Sequence, residues 1–158
     1  MGRRYEYVLE LGAGLSSSPP ADPSVRPPVR EDADPLAELM LDAYLDTIDY
    51  EGETLEDAQG EVAGYLAGSP LLDCSWLHLA GDHPISASLV SLWGERGCPI
   101  VSYVMTAAAL KGRGLASDLL ARSLISLAEA GHVEVRAVIT EGNVPSETIF
   151  ARAGFRRV

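Results

Sequence analysis

The chain has 158 residues, of which 47% are apolar and 22% charged, a composition that fits one globular domain and excludes a disordered chain. The formal net charge of -11 argues against a nucleic-acid partner, because binding to phosphates needs a basic surface. Apolar runs of a few residues exclude a membrane span, and two cysteines without a CxxC motif argue against a metal site and favour a reducing, cytoplasmic location.

The charges are segregated along the chain. Residues 31–95 contain fifteen Asp or Glu and no Lys or Arg, whereas residues 96–158 contain eight basic and five acidic side chains. The acidic middle favours a cationic ligand, and the basic part favours a polyanionic one. The alternative is that the acids only solvate two helices.

The first part of the chain predicts a strand, a linker and two helices. Residues 3–11 are rich in Tyr, Val and Leu, residues 12–24 have the Gly, Ser and Pro content of a linker, and residues 25–30 could form a short edge strand. Asp32 is expected to cap the first helix, and Thr54 to lie near the start of the second. The apolar faces of the two helices are Leu36, Leu39, Met40, Ala43 and Tyr44, then Leu55, Ala58, Val62, Tyr65 and Leu66.

The second part of the chain predicts five strands and two helices. Three closely spaced strands, 74–79, 85–92 and 99–106, should form an antiparallel meander. A long helix runs to about Ala130, with core candidates Leu115, Leu119, Leu120, Leu124 and Leu127. It leads to a strand over 133–140 that should pair in parallel with the last meander strand. A short helix over 145–153 and a last strand over 155–158 follow.

This order predicts a single α/β (α+β) domain over residues 1–158. Its mixed, mostly antiparallel central sheet should carry helices on both faces. Residues 1–24 supply an N-terminal strand and a Pro/Ser-rich linker, and residues 25–158 supply the core.

A Gly-rich turn between a strand and the long helix is the stretch most indicative of chemistry. Lys111 and Arg113 alternate with Gly112 and Gly114 at the helix start, where free N–H groups and cations favour a phosphate. A Walker A loop would need a GK[ST] ending that is absent, and the GxGxxG fingerprint of dinucleotide sites fails at Ser117. Two interpretations of the turn remain. It is either a clamp for the pyrophosphate of coenzyme A or a structural turn that binds no ligand.

Two motifs resemble those of the GNAT acetyltransferase superfamily. The family's loop reads Arg or Gln, two residues, Gly, one residue, then Gly or Ala, and residues 111–116 match it with Lys in the first place. Its second signature is matched by Asn143, Ser146, Phe150 and Gly154-Phe155. The resemblance covers about residues 25–158.

The resemblance implies that acetyl-CoA is the acyl donor and that two parallel strands splay into a V to admit it. The loop residues Lys111, Gly112, Arg113, Gly114, Leu115 and Ala116 would hold the pyrophosphate. Val104, Met105 and Thr106 would pair with the pantetheine like an added strand, and an N–H of Met105 or Thr106 would polarise the thioester carbonyl. Asn143 and Ser146 would flank the pantetheine arm, with Phe150 also in the cofactor site. An amine would attack directly in a ternary complex.

Two departures from the family pattern matter. The family often has Tyr at the place of Phe150 to protonate the leaving thiolate, and Phe cannot donate a proton. The family also usually has one more strand after the Gly-Phe strand, whereas this chain stops at Val158. We hypothesise that Arg4–Leu11 fills that place.

The base and the acceptor site are predicted from acids near the expected opening. Glu141 follows the parallel strand and is the candidate general base, with a solvated loop side chain as the alternative. The candidate acceptor site comprises Tyr44, Asp46, Asp49, Tyr50 and Glu51, which suit a cationic amine. We expect a monomer or homodimer that acts as an N-acetyltransferase. The alternatives are a non-catalytic acyl-CoA-binding or sensor domain and, less favoured, a nucleotide-dependent oxidoreductase.

Overall fold

The computed structural model describes residues 2–12, 19–45 and 47–158. Its strands are β1 (Arg4–Glu10), β2 (Val25–Arg26), β3 (Trp76–Ala80), β4 (His83–Trp93), β5 (Cys98–Thr106), β6 (Glu134–Thr140) and β7 (Arg156–Arg157). Its α-helices are α1 (Ala33–Tyr44), α2 (Leu55–Ala67), α3 (Leu115–Glu129) and α4 (Val144–Arg152). The predicted order of elements and the mixed α/β class are confirmed.

The described strands form a seven-stranded sheet in the order β2-β3-β4-β5-β6-β1-β7. Strands β3, β4 and β5 form the expected antiparallel meander, and β5 and β6 form the expected parallel pair. Strand β1 pairs with β6 from Arg4–Thr140 to Glu10–Glu134 and with β7 on its other side. The N-terminal strand therefore completes the sheet beside the Gly-Phe strand, where it was hypothesised to lie.

The parallel pair opens along most of its length. Strands β5 and β6 are in register only at Ile100 and Arg136, so they diverge toward Thr106 and Thr140. Strand β5 stays paired with β4 as far as Thr106. A bulge at Ser102 lies between the pairs Leu89–Tyr103 and Val90–Val101, and a bulge of this kind bends a strand and redirects its side chains. The V-shaped splay thus leaves one edge of β5 open.

Helices cover both faces of the sheet. Helices α1 and α2 bury one apolar cluster that includes Leu36, Leu89 and Met105. Helices α3 and α4 bury a second cluster that includes Leu124 and Phe150. The apolar faces predicted from helical spacing hold the helices against the sheet. Full burial of one Leu side chain stabilises the folded state by about 1.5–3 kcal/mol. No described helix combines the length and apolar character that crossing a bilayer requires.

Several local predictions are wrong. Asp32 does not cap α1 with its side chain, because its buried carboxylate accepts bonds from Arg26 at 2.8 and 2.9 Å. Leu55 and Leu115 were predicted to face the core but are the first residues of their helices. Leu55 is exposed and Leu115 is only half-buried. Cys74 lies in a 3-10 turn before β3 rather than in the strand.

Several strand boundaries also differ from the predicted ones. The last strand spans Arg156–Arg157 rather than residues 155–158, and β2 spans Val25–Arg26 rather than 25–30. The linker predicted over 12–24 lies partly outside the described residues, which omit 13–18.

Candidate active site

The open edge of β5 ends at three residues predicted to contact a cofactor. Val104 is half-buried against the α3 side of the sheet, while Met105 is buried against the α1 side. Thr106 is also buried, and its hydroxyl lies 3.0 Å from that of Ser86. Ser86 also donates to the Met105 carbonyl at 2.8 Å, which fixes the end of β5 on its β4 side. The opposite edge is left free for an extended ligand to add as a strand.

The start of α3 lies just beyond this edge. Gly112 and Gly114 have φ of 83° and 80°, a conformation that other residues adopt at a cost. A Cβ atom at either position would meet no heavy atom within 4 Å. No side chain caps the helix, and the described chain offers no acceptor to the N–H groups of residues 115–117. An exposed helix start with free N–H groups and partial positive charge suits an anion.

Two bonds tie the segment that precedes α3 to α1. The Lys111 ammonium donates to the Ala43 carbonyl at 2.6 Å, and the Asp42 carboxylate accepts from the Ala108 N–H at 2.8 Å. Arg113 is exposed beside the glycines. The first residue of the loop motif therefore connects the loop to the helix that precedes the acceptor-side acids.

The second motif forms the start of α4, directly after β6. Asn143 Oδ1 caps the helix by accepting from the Ser146 N–H at 3.3 Å. Asn143 Nδ2 donates to Asp49 Oδ2 at 3.0 Å, across 94 positions of sequence. Phe150 is buried and packs edge-on against Phe155, with ring centroids 5.0 Å apart. Asn143, Ser146 and Phe150 all line one cavity.

This cavity has a volume of about 680 Å³ and extends from the opening between β5 and β6 to helices α1 and α2. Its ionisable lining is mainly acidic and phenolic. It comprises Arg4, Tyr44, Asp49, Tyr50, Glu53, Asp57, Glu61, Tyr65 and Tyr103. The volume lies within the range of small-molecule sites.

The four carboxylates of the cavity accept hydrogen bonds from neutral donors. Asp49 accepts from Asn143, Glu53 from the Glu51 N–H, Asp57 from Thr54, and Glu61 from the Tyr103 hydroxyl. The ion pairs found across the described ranges do not include any of the four. Among the lining residues that the structure describes, Arg4 at the start of β1 is the one cationic residue. The cavity therefore carries a local excess of negative charge.

Three phenols of the cavity, Tyr44, Tyr65 and Tyr103, stay protonated near neutral pH. Burial raises the pKa of Tyr44 to about 12, and the charges of Asp49 and Glu61 add to this shift. Burial, then the hydrogen bond to Glu61, raises the pKa of Tyr103. Tyr65 is buried, and its hydroxyl donates to the Val90 carbonyl at 2.7 Å. These three phenols are consequently hydrogen-bond donors, not bases.

The predicted acceptor-side residues are only partly brought together. Tyr44, Asp49 and Tyr50 line the cavity. Glu51 is exposed outside the lining, and Asp46 lies outside the described residues.

The candidate base Glu141 is also exposed and is not among the lining residues, although its N–H is fixed by the Arg3 carbonyl at 2.7 Å. Asp57 and Glu61 line the cavity but were not among the site residues predicted from the sequence. Their spacing of four residues on a predicted helix, which places them on one face, was the available signal. Within the described ranges, no three His, Cys, Asp or Glu side chains are grouped so as to hold a metal ion.

Comparison with known proteins gives the family. The family model described as "Acetyltransferase (GNAT) domain" matches residues 24–156. No curated protein sequence matches the chain significantly. Because the family model covers most of the chain, the chain belongs to the GNAT acetyltransferase family.

Solved structures share this fold at low identity. A GCN5-related N-acetyltransferase from Sphaerobacter thermophilus is 18% identical with a TM-score of 0.71, over 98% of this chain and 48% of that one. An acetyltransferase of the GNAT family from Colwellia psychrerythraea is 12% identical with a TM-score of 0.74, over 100% and 53%. A GNAT family acetyltransferase from Brucella melitensis, in complex with acetyl-CoA, is 18% identical with a TM-score of 0.65, over 85% of each chain. The chain spans about half the length of the first two.

Proposed function

We propose that this chain transfers an acetyl group from acetyl-CoA to the nitrogen of a cationic primary amine, by direct attack in a ternary complex. The observation that carries the proposal is the acidic cavity beside the open edge of β5, with the uncapped start of α3 beyond the end of the same strand. The first feature suits an ammonium ion and the second a pyrophosphate. The strand edge between them suits an extended arm.

The chain's own residues fit acetyl-CoA as the acyl donor. Loop 111–116 and the free N–H groups of residues 115–117 would hold the pyrophosphate, with the space above Gly112 and Gly114 open to it. Residues 104–106 would pair with the pantetheine arm, which Asn143 and Ser146 would flank from the opposite side. The Brucella melitensis relative, which has the same fold and is in complex with acetyl-CoA, supports this assignment. The donor supplies an activated thioester carbonyl.

The free edge of β5 also supplies electrostatic assistance. Of the two predicted donors, the Thr106 N–H faces the free edge, because the Ala107 N–H donates to the Ile85 carbonyl and Met105 pairs with Ala87 on the same side. The Thr106 N–H would donate to the thioester oxygen as negative charge develops there. A single donor of this kind contributes about 10²–10³ in rate in other acyl-transfer systems. Since β5 is fixed on its β4 side by Ser86, this donor is held in place before the reaction.

The acidic cavity supports the choice of acceptor. An alkyl ammonium has a pKa near 10.4, so the acceptor arrives as a cation at neutral pH. The carboxylates of Asp49, Glu53, Asp57 and Glu61 have neutral hydrogen-bond donors, and their charge would attract such an acceptor. The similar Sphaerobacter thermophilus protein is an N-acetyltransferase by name, which agrees with nitrogen as the acetylated atom.

Phe150 supports one alternative, a domain that binds acyl-CoA without turnover. Its buried ring cannot protonate a leaving thiolate, although the thiolate of a thiol with a pKa near 8.5 can leave without help.

The two cysteines bear on the cellular location. Cys74 and Cys98 are both buried and free, which fits a reducing compartment, and we place the protein in the cytoplasm.

Two measurements on the full chain separate these functions. Calorimetric titration with acetyl-CoA, with NAD and ATP as controls, should give micromolar binding for acetyl-CoA alone. Thiol release from acetyl-CoA should then be measured with 1,4-diaminobutane, lysine and an aminoglycoside. Amine-dependent release supports the enzyme, whereas binding without release with any of these amines supports the sensor. Absence of acetyl-CoA binding contradicts both.

A further inference from the structure

One carboxylate of the cavity is fixed by the residue that starts α4. We propose that Asp49 accepts the proton that the acceptor nitrogen loses, and that Asn143 is the positioning residue that aims Asp49 at the opening between β5 and β6. The inference rests on the proposed function above, and it assigns the base to a residue other than Glu141.

The Asn143 side chain can adopt only one useful orientation. Its Oδ1 accepts from the Ser146 N–H at 3.3 Å, so its Nδ2 must point away from the helix. That Nδ2 donates to Asp49 Oδ2 at 3.0 Å. The backbone of Asn143 is also fixed, since its N–H donates to the Thr140 carbonyl at 3.0 Å and its carbonyl accepts from the Glu147 N–H at 2.9 Å. The amide is therefore a rigid link from the end of β6 to Asp49.

The loop that carries Asp49 is anchored from its other side. The Asp49 N–H donates to Thr47 Oγ1 at 3.3 Å, and Thr47 Oγ1 donates to the Tyr44 carbonyl at the end of α1 at 3.0 Å. The Tyr50 N–H donates to the Thr47 carbonyl at 3.2 Å. Asp49 is thus held between α1 and α4, the helices on opposite faces of the splayed sheet.

Asp49 keeps one oxygen for the reaction. Across the residues that the structure describes, Oδ2 has the Asn143 amide, and Oδ1 has no hydrogen-bond or ionic partner. Asp57 and Glu53 bond to backbone N–H groups of their own segment, and Glu61 bonds to Tyr103. Asp49 alone among the four carboxylates of the cavity is bonded to a residue of the second motif. Glu141 follows the same strand but is exposed outside the cavity.

The proton balance gives Asp49 a defined task. A free carboxylate has a pKa near 3.9 and cannot efficiently deprotonate an ammonium of pKa 10.4 before attack, so the reacting species is the neutral amine fraction, whose first proton goes to water. The amine nitrogen then bonds to the thioester carbon and becomes a strong acid. Its second proton passes to Asp49 Oδ1 as the carbon–sulfur bond breaks. The products are the amide, the thiolate of coenzyme A and a protonated carboxyl that returns its proton to the thiolate or to water.

Other charged and titratable groups line the same cavity as Asp49. They are Arg4 of β1, Tyr44 of α1, Tyr50 and Glu53 of the loop, Asp57, Glu61 and Tyr65 of α2, and Tyr103 of β5. The variants that test the inference therefore leave these groups unchanged.

The first test is Asp49→Asn, with the exposed Glu56→Gln of α2 as its matched control. Kinetics are measured with the amine of the panel that the wild type acetylates fastest. We expect kcat of D49N to fall by about 10²–10⁴ with an unchanged acetyl-CoA Kd, and E56Q to match the wild type. If the wild type turns over and D49N retains kcat within about twofold, the inference is overturned and the proposed function stands. If the wild type releases no thiol with any amine, both are overturned.

The second test separates positioning from helix capping. Asn143→Ser keeps a capping hydroxyl but loses the amide donor, and we expect kcat to fall about tenfold or more because Asp49 is misplaced. Asn143→Asp keeps a cap and puts a like charge beside Asp49. The neutral fraction of the acceptor rises with pH for every variant, so kcat/KM is divided by that fraction, and the acidic limb of this corrected profile should move to higher pH in N143D. Acetyl-CoA Kd is measured for both. An unmoved limb in the corrected profile of N143D, with N143S equal to the wild type, would show that Asn143 only caps α4 and would overturn its positioning role.

Discussion

Replacement of Gly114 by Ala tests the loop that the account assigns to the pyrophosphate. Gly114 has φ of 80° and ψ of 8°, immediately before the first residue of α3. A Cβ at this position meets no heavy atom within 4 Å, so the substitution introduces backbone strain without a clash inside the protein. The left-handed conformation costs an L-residue roughly 1–2 kcal/mol.

The strain has two possible consequences, and each is measurable. If the loop keeps its shape, the free energy of unfolding falls by about 1–2 kcal/mol and the new methyl group projects into the space assigned to the phosphates. If the loop moves to a negative φ, the N–H groups of residues 115–117 lose their common direction. In both cases we expect the acetyl-CoA Kd to rise at least about tenfold, a loss of about 1.4 kcal/mol of binding.

The assay combines denaturant unfolding with calorimetric titration of acetyl-CoA. Gly60→Ala is the matched control, because Gly60 lies inside α2 and its φ is not positive. Apart from the neighbouring backbone of α2, an added Cβ at Gly60 meets no heavy atom within 4 Å. G60A should stabilise the protein by about 0.5–1 kcal/mol and leave the acetyl-CoA Kd unchanged. A G114A variant that loses stability but binds acetyl-CoA with the wild-type Kd would refute the assignment of this loop.

Three further predictions concern other parts of the site and the fold. Asp42→Ala removes the acceptor of the Ala108 N–H, so the acetyl-CoA Kd should rise about fivefold, as expected for one hydrogen bond of about 1 kcal/mol, in the same calorimetric assay; an unchanged Kd would mean that this bond does not hold the loop. The pKa of Asp32 is lowered by its hydrogen bond to Arg26, so its contribution to stability is present above its unfolded pKa and is lost as pH falls through the folded value. Asp32→Asn should reduce the free energy of unfolding by about 1–2 kcal/mol at pH 7 and flatten its decline on acidification, and an unflattened decline in acid denaturation would count against the pair. Phe150→Tyr supplies a proton donor in the cavity and should raise kcat several-fold below the thiol pKa, whereas an unchanged kcat would show that thiolate departure is not limiting.

Local signals in the sequence predicted most of the fold. Helical spacing of apolar residues gave the buried faces of α1 and α3, and short turns gave the meander, because these features depend on neighbours within a few residues. The placement of β1 was predicted from the family resemblance, because the family usually has one more strand after the Gly-Phe strand than this sequence shows. The Asp32 prediction failed because a cationic neighbour and burial outcompeted the helix N-terminus for the carboxylate.

The candidate site divides along the same line. The residues proposed for the cofactor lie in two short motifs, and the structure brings Asn143, Ser146 and Phe150 to one cavity. The residues proposed for the acceptor come from α1, the loop after it, α2 and β5. The bond between Asp49 in that loop and Asn143 before α4 joins residues 94 positions apart, so local spacing in the sequence does not predict it. Glu141 was predicted as the base because it follows a strand. Position after a strand does not distinguish a side chain that faces solvent from one that faces the cavity.

The measurement that tests the central claim most directly is product stoichiometry. The full chain is incubated with limiting acetyl-CoA and a cationic amine, and thiol release and the acetylated amine are quantified together by absorbance and mass spectrometry. The account predicts one acetylated amine for each thiol released, with the acetyl group on nitrogen. Thiol release without an acetylated amine, or no release from a protein that binds acetyl-CoA, would contradict transfer to an amine as the function of this chain.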